Sequence, residues 1–268
     1  MQTGRDCADY FIDEGEFGAL ADWLGEAPET VIPAHSLRRR LCRAFALGEA
    51  PHYEAAVIRL DCAPREPMVF GSDPQALFEM LRYVEDWDSI NVNEKIAQEL
   101  AHIIEKHGGA KVLCTSDLYY ALNGPATDFR HHDVRELVPD DVALLEAAPP
   151  ELRGCGFRTS LEMLEEGVVA CGLISGRVIA IGHTSAMSGG YADIGVYTSP
   201  DWRGRGFATA CASMVANRVQ SMGLTPVWST SDDNPVSIKI AEKIGFERVS
   251  RRGFLVPGPQ RGDGDTEV

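Results

Sequence analysis

The sequence predicts a mixed α/β protein whose second half forms a mostly antiparallel sheet flanked by helices. Three apolar, β-favouring segments follow one another between Val168 and Thr198, joined only by short glycine turns, and strands joined in this way pair antiparallel. A helical apolar period then runs from Phe207 to a stop at Gly223, and another β-favouring segment follows at 226–230. Because a helix between two strands is long enough for parallel pairing, the predicted sheet is mixed.

The first half of the chain alternates between helical and strand-like patterns. We expect residues 1–50 to be helical, with an apolar stripe from Leu37 to Phe45 that ends at Gly48. Further along, the pattern predicts strands at 53–60, 68–70 and 111–115, and helices that begin near residues 73 and 93. These elements predict a smaller α/β domain without a glycine-rich segment that could cradle a phosphate.

The turn Asn123-Gly124-Pro125 separates these two periodic regions and predicts the domain boundary. We therefore expect domains at 1–124 and 125–256, followed by a Gly/Asp-rich disordered tail at 257–268. The second domain adds to its central elements a strand at 134–138, a helix at 140–147, a helix whose Val236 faces the core, and a strand at 246–256.

Composition excludes several classes of protein. With 44% hydrophobic and 24% charged residues, no apolar run near the ~20 residues of a membrane span and no signal-peptide layout, we expect no membrane association. Seven cysteines without a C-x-x-C pair indicate free thiols in the cytoplasm. The net charge of −15 disfavours nucleic acid, and it either steers a cationic amine or is simply solvated. His131-His132-Asp133 has no third histidine or cysteine nearby, so we expect an exposed strand start and no metal.

The central motif of the second half joins a strand to a glycine-rich helix start. The strand ends at Ser199-Pro200-Asp201, because proline cannot donate to a ladder, and the segment Arg203–Thr209 opens the helix. Free backbone N–H groups, the helix dipole and two arginines make this segment an anion cradle. Its spacing matches neither the dinucleotide fingerprint nor the nucleotide P-loop.

This segment resembles the acetyl-CoA signature of the GNAT N-acetyltransferases, Arg/Gln-x-x-Gly-x-Gly/Ala, at Arg203, Gly206 and Ala208. The later stretch TSDDNPVSIKIAEKIGFERV resembles the family's second signature, in which an asparagine opens a helix that ends in Gly-Phe. The predicted element order of the second half is also similar to that of the GNAT fold. The first half resembles the degenerate companion domain of two-domain GNAT proteins by pattern alone.

The resemblance implies acetyl-CoA as a co-substrate, bound where the fourth and fifth strands of the domain separate. The implied contacts are the main chain of Val196, Tyr197 and Thr198 for the pantetheine, Arg203, Gly204, Arg205, Gly206, Phe207, Ala208 and Thr209 for the pyrophosphate, and Asn234 for the CoA arm. The alternative for the asparagine is a plain helix N-cap, and the two roles are compatible.

The sequence departs from the family pattern at two catalytic positions. Where many members have a tyrosine seven residues after the asparagine, this chain has Ala241, and where many have a glutamate on the fifth strand it has Ser229. The candidate base is therefore Asp193, with a solvated turn residue as its alternative. His183 is the second candidate, with a buried core histidine as its alternative. Ser237 is the candidate proton donor.

The resemblance implies transfer of an acetyl group to a primary amine of a small molecule or peptide, by direct attack in a ternary complex. Two alternatives remain open. The missing tyrosine favours a CoA-binding regulatory module without turnover, and the same cofactor site would also serve an acyltransferase that uses longer acyl groups or amino-acid acceptors.

Overall fold

The computed structural model describes residues 10–84, 86–108 and 110–258. In chain order its helices and strands are α1 (Phe17–Leu24), α2 (Val31–Arg39), β1 (Cys42–Glu49), β2 (His52–Leu60), β3 (Ala63–Gly71), α3 (Pro74–Leu81), β4 (Ile90–Val92), α4 (Glu94–Gly108), β5 (Val112–Ala121), β6 (Val134–Glu136), α5 (Val142–Glu146), α6 (Ser160–Glu166), β7 (Val169–Ile174), β8 (Arg177–Ser188), β9 (Tyr191–Thr198), α7 (Phe207–Ser221), β10 (Thr225–Ser231), α8 (Pro235–Ile244) and β11 (Glu247–Pro257). No helix in these described ranges combines the length and hydropathy that a membrane span needs.

The described residues form two compact units, which are described separately. The first contains the described parts of Met1–Leu24, Cys42–Asp117 and Arg251–Val268, and the second contains Gly25–Leu41 and Leu118–Ser250. The predicted domain limits of 1–124 and 125–256 stay a prediction, but packing assigns α2 to the second unit and most of β11 to the first. Of the predicted disordered tail at 257–268, residues 259–268 lie outside the described residues.

The first unit is built on an antiparallel meander. Strand β2 pairs antiparallel with both β1 and β3, β3 pairs in parallel with the short β4, and β4 pairs antiparallel with β11. Helices α3 and α4 cover this sheet through buried side chains such as Leu77 and Leu100. Helix α3 begins as the sequence predicts, because Asp73 caps it by accepting hydrogen bonds from two backbone N–H groups.

The second unit contains the predicted mixed sheet. Strands β7, β8 and β9 pair antiparallel and β9 pairs in parallel with β10, as the lengths of their connections predict. Strand β6 pairs antiparallel with β7, although the connection between them contains α5 and α6. Helix α7 packs on one face of β8 and β9 through residues such as Ala212 and Val215, which are fully buried. Helices α5 and α6 contribute Leu145 and Met163 to a separate core beside Ile181 of β8. The predicted fold class is confirmed.

The prediction of helix up to Gly48 is wrong for residues 42–49, which form β1. Helix α2 ends because Arg40 adopts the left-handed conformation, with φ of 56°, and its N–H group bonds to Leu37 O. Such a conformation is uncommon for a residue with a side chain, so the sequence gives no helix stop there. Beyond it, Ala44 and Phe45 pair with Ile58 and Val57 of β2.

One further boundary differs from the predictions, and one hairpin forms at a predicted glycine turn. The residues expected as a short strand at 111–115 belong to a single longer strand, β5, which continues to Ala121. The hairpin between β7 and β8 turns on Ser175 and Gly176, whose φ angles are both positive, and Arg177 is already the first residue of β8.

Candidate functional site

Strands β9 and β10 separate in the middle of the sheet of the second unit. They pair only from Tyr191 to Asp193 on β9, although β9 continues to Thr198 and β10 to Ser231. On its other side β9 stays paired with β8 as far as Thr198. The main chain of residues 194–198 therefore faces a gap on the side of β10, where its N–H and C=O groups can bind a ligand.

A cavity of about 660 Å³ lies at this gap. It is lined by Val196, Tyr197, Thr198, Trp202, Arg203, Gly204, Gly206, Phe207, Ala208, Thr209, Asn234, Val236, Ser237, Ile240 and Lys243. Every cofactor contact that the sequence implies is among them except Arg205, whose guanidinium lies over the Trp202 ring, 4.7 Å from its centroid. The structure thus brings the predicted contacts together, while their role in binding stays a prediction.

The start of α7 forms the glycine-rich wall of this cavity. Gly204 and Gly206 have φ of 74° and 87°, and a Cβ atom on either would meet no heavy atom within 4 Å. Gly206 is the N-cap residue of α7 and makes no side-chain cap, so the first N–H groups of the helix depend on a ligand or solvent for acceptors. The helix dipole adds about half a positive charge at the same point, which suits an anion.

Two side chains near the end of β9, those of Arg203 and Thr198, differ in their hydrogen bonding. Arg203 donates from Nε to the carbonyl of Thr198 at 3.1 Å, which fixes the loop between the strand and α7. The Thr198 hydroxyl is buried and has no hydrogen-bond partner among the described residues. Since a buried polar group is almost always paired, this hydroxyl is available to a ligand or a water molecule in the cavity.

Asn234 and Ser237 join α8 to the cavity. The Asn234 carboxamide caps α8 by accepting from the Ser237 N–H at 3.1 Å, as the alternative interpretation predicts, and it lines the cavity as well. The Ser237 hydroxyl accepts from the indole N–H of the buried Trp228 at 2.9 Å, which leaves its own proton available to donate.

Asp193 lies at the point where the strands separate, opposite Val227 of β10. Its side chain is buried, and its carboxylate accepts from the Ser185 hydroxyl and, at 3.3 Å, from the Ser229 hydroxyl. Burial raises the pKa of Asp193 to about 6, although both serine hydrogen bonds oppose the shift. Asp193 is not the solvated turn residue of the alternative interpretation. It does not line the large cavity, and the two serines that bond it are half-buried.

His183 is held between backbone segments on β8. Its Nε2 atom accepts from the Cys155 N–H at 3.1 Å, and the Cys155 sulfur lies 3.8 Å from the same nitrogen. Desolvation lowers the pKa of His183 to about 4, and the nearby Gly195 backbone opposes part of that shift. The Nδ1 atom makes no hydrogen bond to the described residues. The ring is therefore neutral at pH 7 with its Nε2 lone pair occupied, which favours the core-histidine interpretation.

Several cavity residues were not predicted from the sequence. Val236 was expected to face the core, but its side chain is 68% exposed and lines the cavity with Ile240 and Lys243. The spacing of these residues along α8 is a helical period that could have indicated a second, outward-facing stripe. Lys243 also lies over the Phe129 ring, 4.6 Å from its centroid. Nothing in their local sequence shows that this face is turned towards α7.

The three side chains of His131, His132 and Asp133 have potential metal-ligand atoms within 4.8 Å of one another. The contacts among them account for this arrangement. His131 accepts from the Asp133 N–H at 3.2 Å and its ring packs against Phe207, while His132 Nε2 lies 3.0 Å from the Asp133 carboxylate. We assign no metal to this group.

Comparisons with known proteins agree with this geometry. Residues 155–252 match the family described as GNAT acetyltransferase. The fold is similar to a GCN5-related N-acetyltransferase-like protein from Streptococcus suis (TM-score 0.67, 19% identity, covering 91% of this chain and 99% of that one). It is also similar to a GCN5-related N-acetyltransferase from Kribbella flavida (TM-score 0.57, 15% identity, covering 88% and 97%). A tandem GNAT protein from the clavulanic acid biosynthesis pathway is similar too (TM-score 0.53, 16% identity, covering 94% and 99%).

A comparison with curated protein sequences gives no match. The structural likenesses are all below 20% identity and so concern the fold alone. The family match covers the strands and helices that build the cavity, from the loop before α6 to β11. The chain therefore contains a GNAT acetyltransferase domain at residues 155–252.

Proposed function

We propose that this protein transfers an acetyl group from acetyl-CoA to a primary amine by direct attack in a ternary complex. The observation that carries the proposal is the cavity of about 660 Å³ where β9 and β10 separate, because it combines a glycine-rich anion cradle with an unpaired strand edge. One end of such a site suits a pyrophosphate, and the other suits an amide-containing chain that bonds to the main chain as a strand would.

The residues of this chain fit such a ligand. The N–H groups at the start of α7 would hold the pyrophosphate, and Lys243 adds a positive charge to the cavity wall. The main chain of residues 196–198 and the unpaired Thr198 hydroxyl would bond the pantetheine amides. Acetyl-CoA, when bound, supplies the activated acyl thioester. The Val196 N–H is the candidate donor to its carbonyl oxygen.

The acceptor amine must lose a proton before it attacks. An alkylamine of pKa ~10.4 is neutral in only about one part in 2,500 at pH 7, a penalty of roughly 4–5 kcal/mol. Asp193 suits the base, because a pKa of about 6 leaves it ionised at pH 7 and able to accept a proton directly or through Ser185 or Ser229. Ser237 is the proposed proton donor to the departing thiolate, since its hydroxyl proton is available at the cavity wall.

The test is thiol release from acetyl-CoA in the presence of a panel of primary amines, with the acetylated product identified by mass spectrometry. We expect thiol release that depends on both the protein and an amine. Tight acetyl-CoA binding without release for any amine would instead favour the regulatory module. Release only with longer acyl-CoA esters would keep the transfer chemistry and change the acyl group.

A further inference from the structure

A second, smaller cavity of about 150 Å³ lies in the loop that leads into α6. Its polar lining consists of Arg153, Cys155, Arg158, Thr159 and Ser160, and no carboxylate is among its lining residues. Guanidinium, hydroxyl and thiol groups can all donate hydrogen bonds, and the two guanidinium groups carry positive charge. The lining is therefore suited to an anionic group.

The two arginines of this cavity stand out in a chain with 40 acidic and 25 basic residues. Arg153 donates to the carbonyl of Ala148 at 2.7 Å and Arg158 to the carbonyl of Arg39 at 3.0 Å, and within the described part of the chain neither makes an ion pair. Glu162 accepts from the Arg158 backbone N–H, but its charge is already paired with the Arg39 guanidinium. Arg39 is also paired with Glu166, so neither carboxylate forms an ion pair with the two guanidinium groups of the cavity.

The loop that forms this cavity packs directly on the strand that carries the candidate catalytic groups. The Cys155 N–H bonds to His183, and the Gly156 backbone approaches β8 so closely that a Cβ atom there would lie 1.6 Å from the Ser185 carbonyl oxygen. Ser185 in turn donates to Asp193. The loop that lines the small cavity therefore contacts the strand whose Ser185 side chain bonds the proposed base.

We propose that the acceptor amine carries an anionic group, a carboxylate or a phosphonate-like oxyanion, which binds in this small cavity between Arg153 and Arg158. The inference rests on the proposed function, since it assigns the acceptor side of the same site. A cavity of about 150 Å³ has the volume of roughly five water molecules, enough for a carboxylate or phosphonate group and its neighbouring carbon. Two guanidinium donors recognise such oxyanions through charge-assisted hydrogen bonds.

The first experiment compares matched acceptors in the thiol-release assay. Glycine, β-alanine and aminoethylphosphonate are paired with glycinamide, β-alaninamide and propylamine, which keep the amine and lack the anion. We expect the anionic members to have at least about tenfold higher kcat/KM. In the double variant Arg153→Gln/Arg158→Gln their KM should rise about 10- to 100-fold, with the KM for acetyl-CoA unchanged. Arg177→Gln, which removes an exposed arginine at the start of β8, is the matched control.

A second experiment needs no turnover. The exposed thiols of Cys155 and Cys62 are alkylated with iodoacetamide, and the rate at each is followed by peptide mass spectrometry. An anionic amine should slow the reaction of Cys155 alone, its neutral partner should not, and the double variant should lose the protection. Cys62 serves as the internal control because it belongs to the other unit.

The two experiments separate the possible failures. Equal kcat/KM for anionic and neutral acceptors, or a preference that survives the double substitution, would overturn the inference. The inference would also be overturned if an anionic amine protects Cys155 in a protein that acetylates only neutral amines, because the cavity would then bind a separate ligand. If no amine is acetylated, the proposed function is wrong, and the protection of Cys155 alone then tests whether the small cavity binds an anion.

Discussion

The sharpest test of the proposed cofactor site compares valine substitutions at the two ends of α7. Gly206 begins the helix and lines the large cavity, whereas Gly223 follows its end and does not line it. Both have positive φ, 87° and 78°, and a Cβ atom on either would meet no heavy atom within 4 Å. The two substitutions therefore impose a similar backbone cost but differ in whether the new side chain enters the proposed pyrophosphate position.

The expected magnitudes follow from this geometry. A residue with a side chain in the left-handed region costs roughly 1–2 kcal/mol, so each variant should lose about 2–8 °C in Tm. Gly206→Val should also lose at least two charge-assisted hydrogen bonds at the cradle, roughly 3 kcal/mol together, and bind acetyl-CoA on the order of 100-fold more weakly. Gly223→Val should bind it as the wild type does.

Isothermal titration calorimetry with acetyl-CoA measures the affinity of each variant, and differential scanning calorimetry measures the cost of the substitution. Equal affinity in a folded Gly206→Val variant would refute the assignment of the cradle. Equal loss of affinity in both variants would show that the effect comes from the stability of α7 and not from the cavity.

Three further predictions concern Asp193 and Thr198. Asp193→Asn should lower the transfer rate about 10²–10⁴-fold with little change in acetyl-CoA affinity, and higher pH should recover part of the lost rate. Wild-type turnover of this variant at every pH from about 6 to 9 would place the base elsewhere. Because the folded-state pKa of Asp193, about 6, exceeds its ordinary value of 3.8, this carboxyl contributes stability below pH 4 that is lost as the pH rises through 6. The unfolding free energy of Asp193→Asn minus that of the wild type should therefore increase by about 3 kcal/mol from about pH 4 to pH 8. Urea unfolding curves that show no such increase would mean that the carboxyl is solvated. Thr198→Val removes the unpaired buried hydroxyl, so it should raise stability by about 1 kcal/mol and weaken acetyl-CoA binding up to about tenfold, whereas unchanged affinity would exclude the hydroxyl as a ligand.

The parts of the fold that depend on local chemistry could be predicted from the sequence. The caps of α3 and α8 follow from Asp73 and Asn234, whose side chains accept the first free N–H groups of those helices. The cradle at the start of α7 is also local, because two glycines and a strand break are enough to specify it. The order of the strands in the second unit follows from the lengths of their connections.

The parts that depend on contacts between distant residues could not be predicted. Helix α2 packs on β8, where His35 bonds to the Met187 main chain across more than 150 positions in the chain, and no local pattern indicates this pairing. The contact of Asp193 with Ser229 likewise depends on the parallel register of β9 and β10. The separation of those strands, which creates the cavity, was implied by the resemblance to the GNAT family and not by the residue pattern of either strand.

Initial-velocity kinetics tests the proposed direct transfer between two substrates bound together. The rate of thiol release is measured while acetyl-CoA and the preferred amine are varied independently, and the acetyl state of Cys155 is followed by mass spectrometry in the absence of amine. Direct transfer predicts intersecting double-reciprocal lines and an unmodified thiol. Parallel lines together with an acetylated Cys155 would contradict it, because they would show a covalent acyl-enzyme.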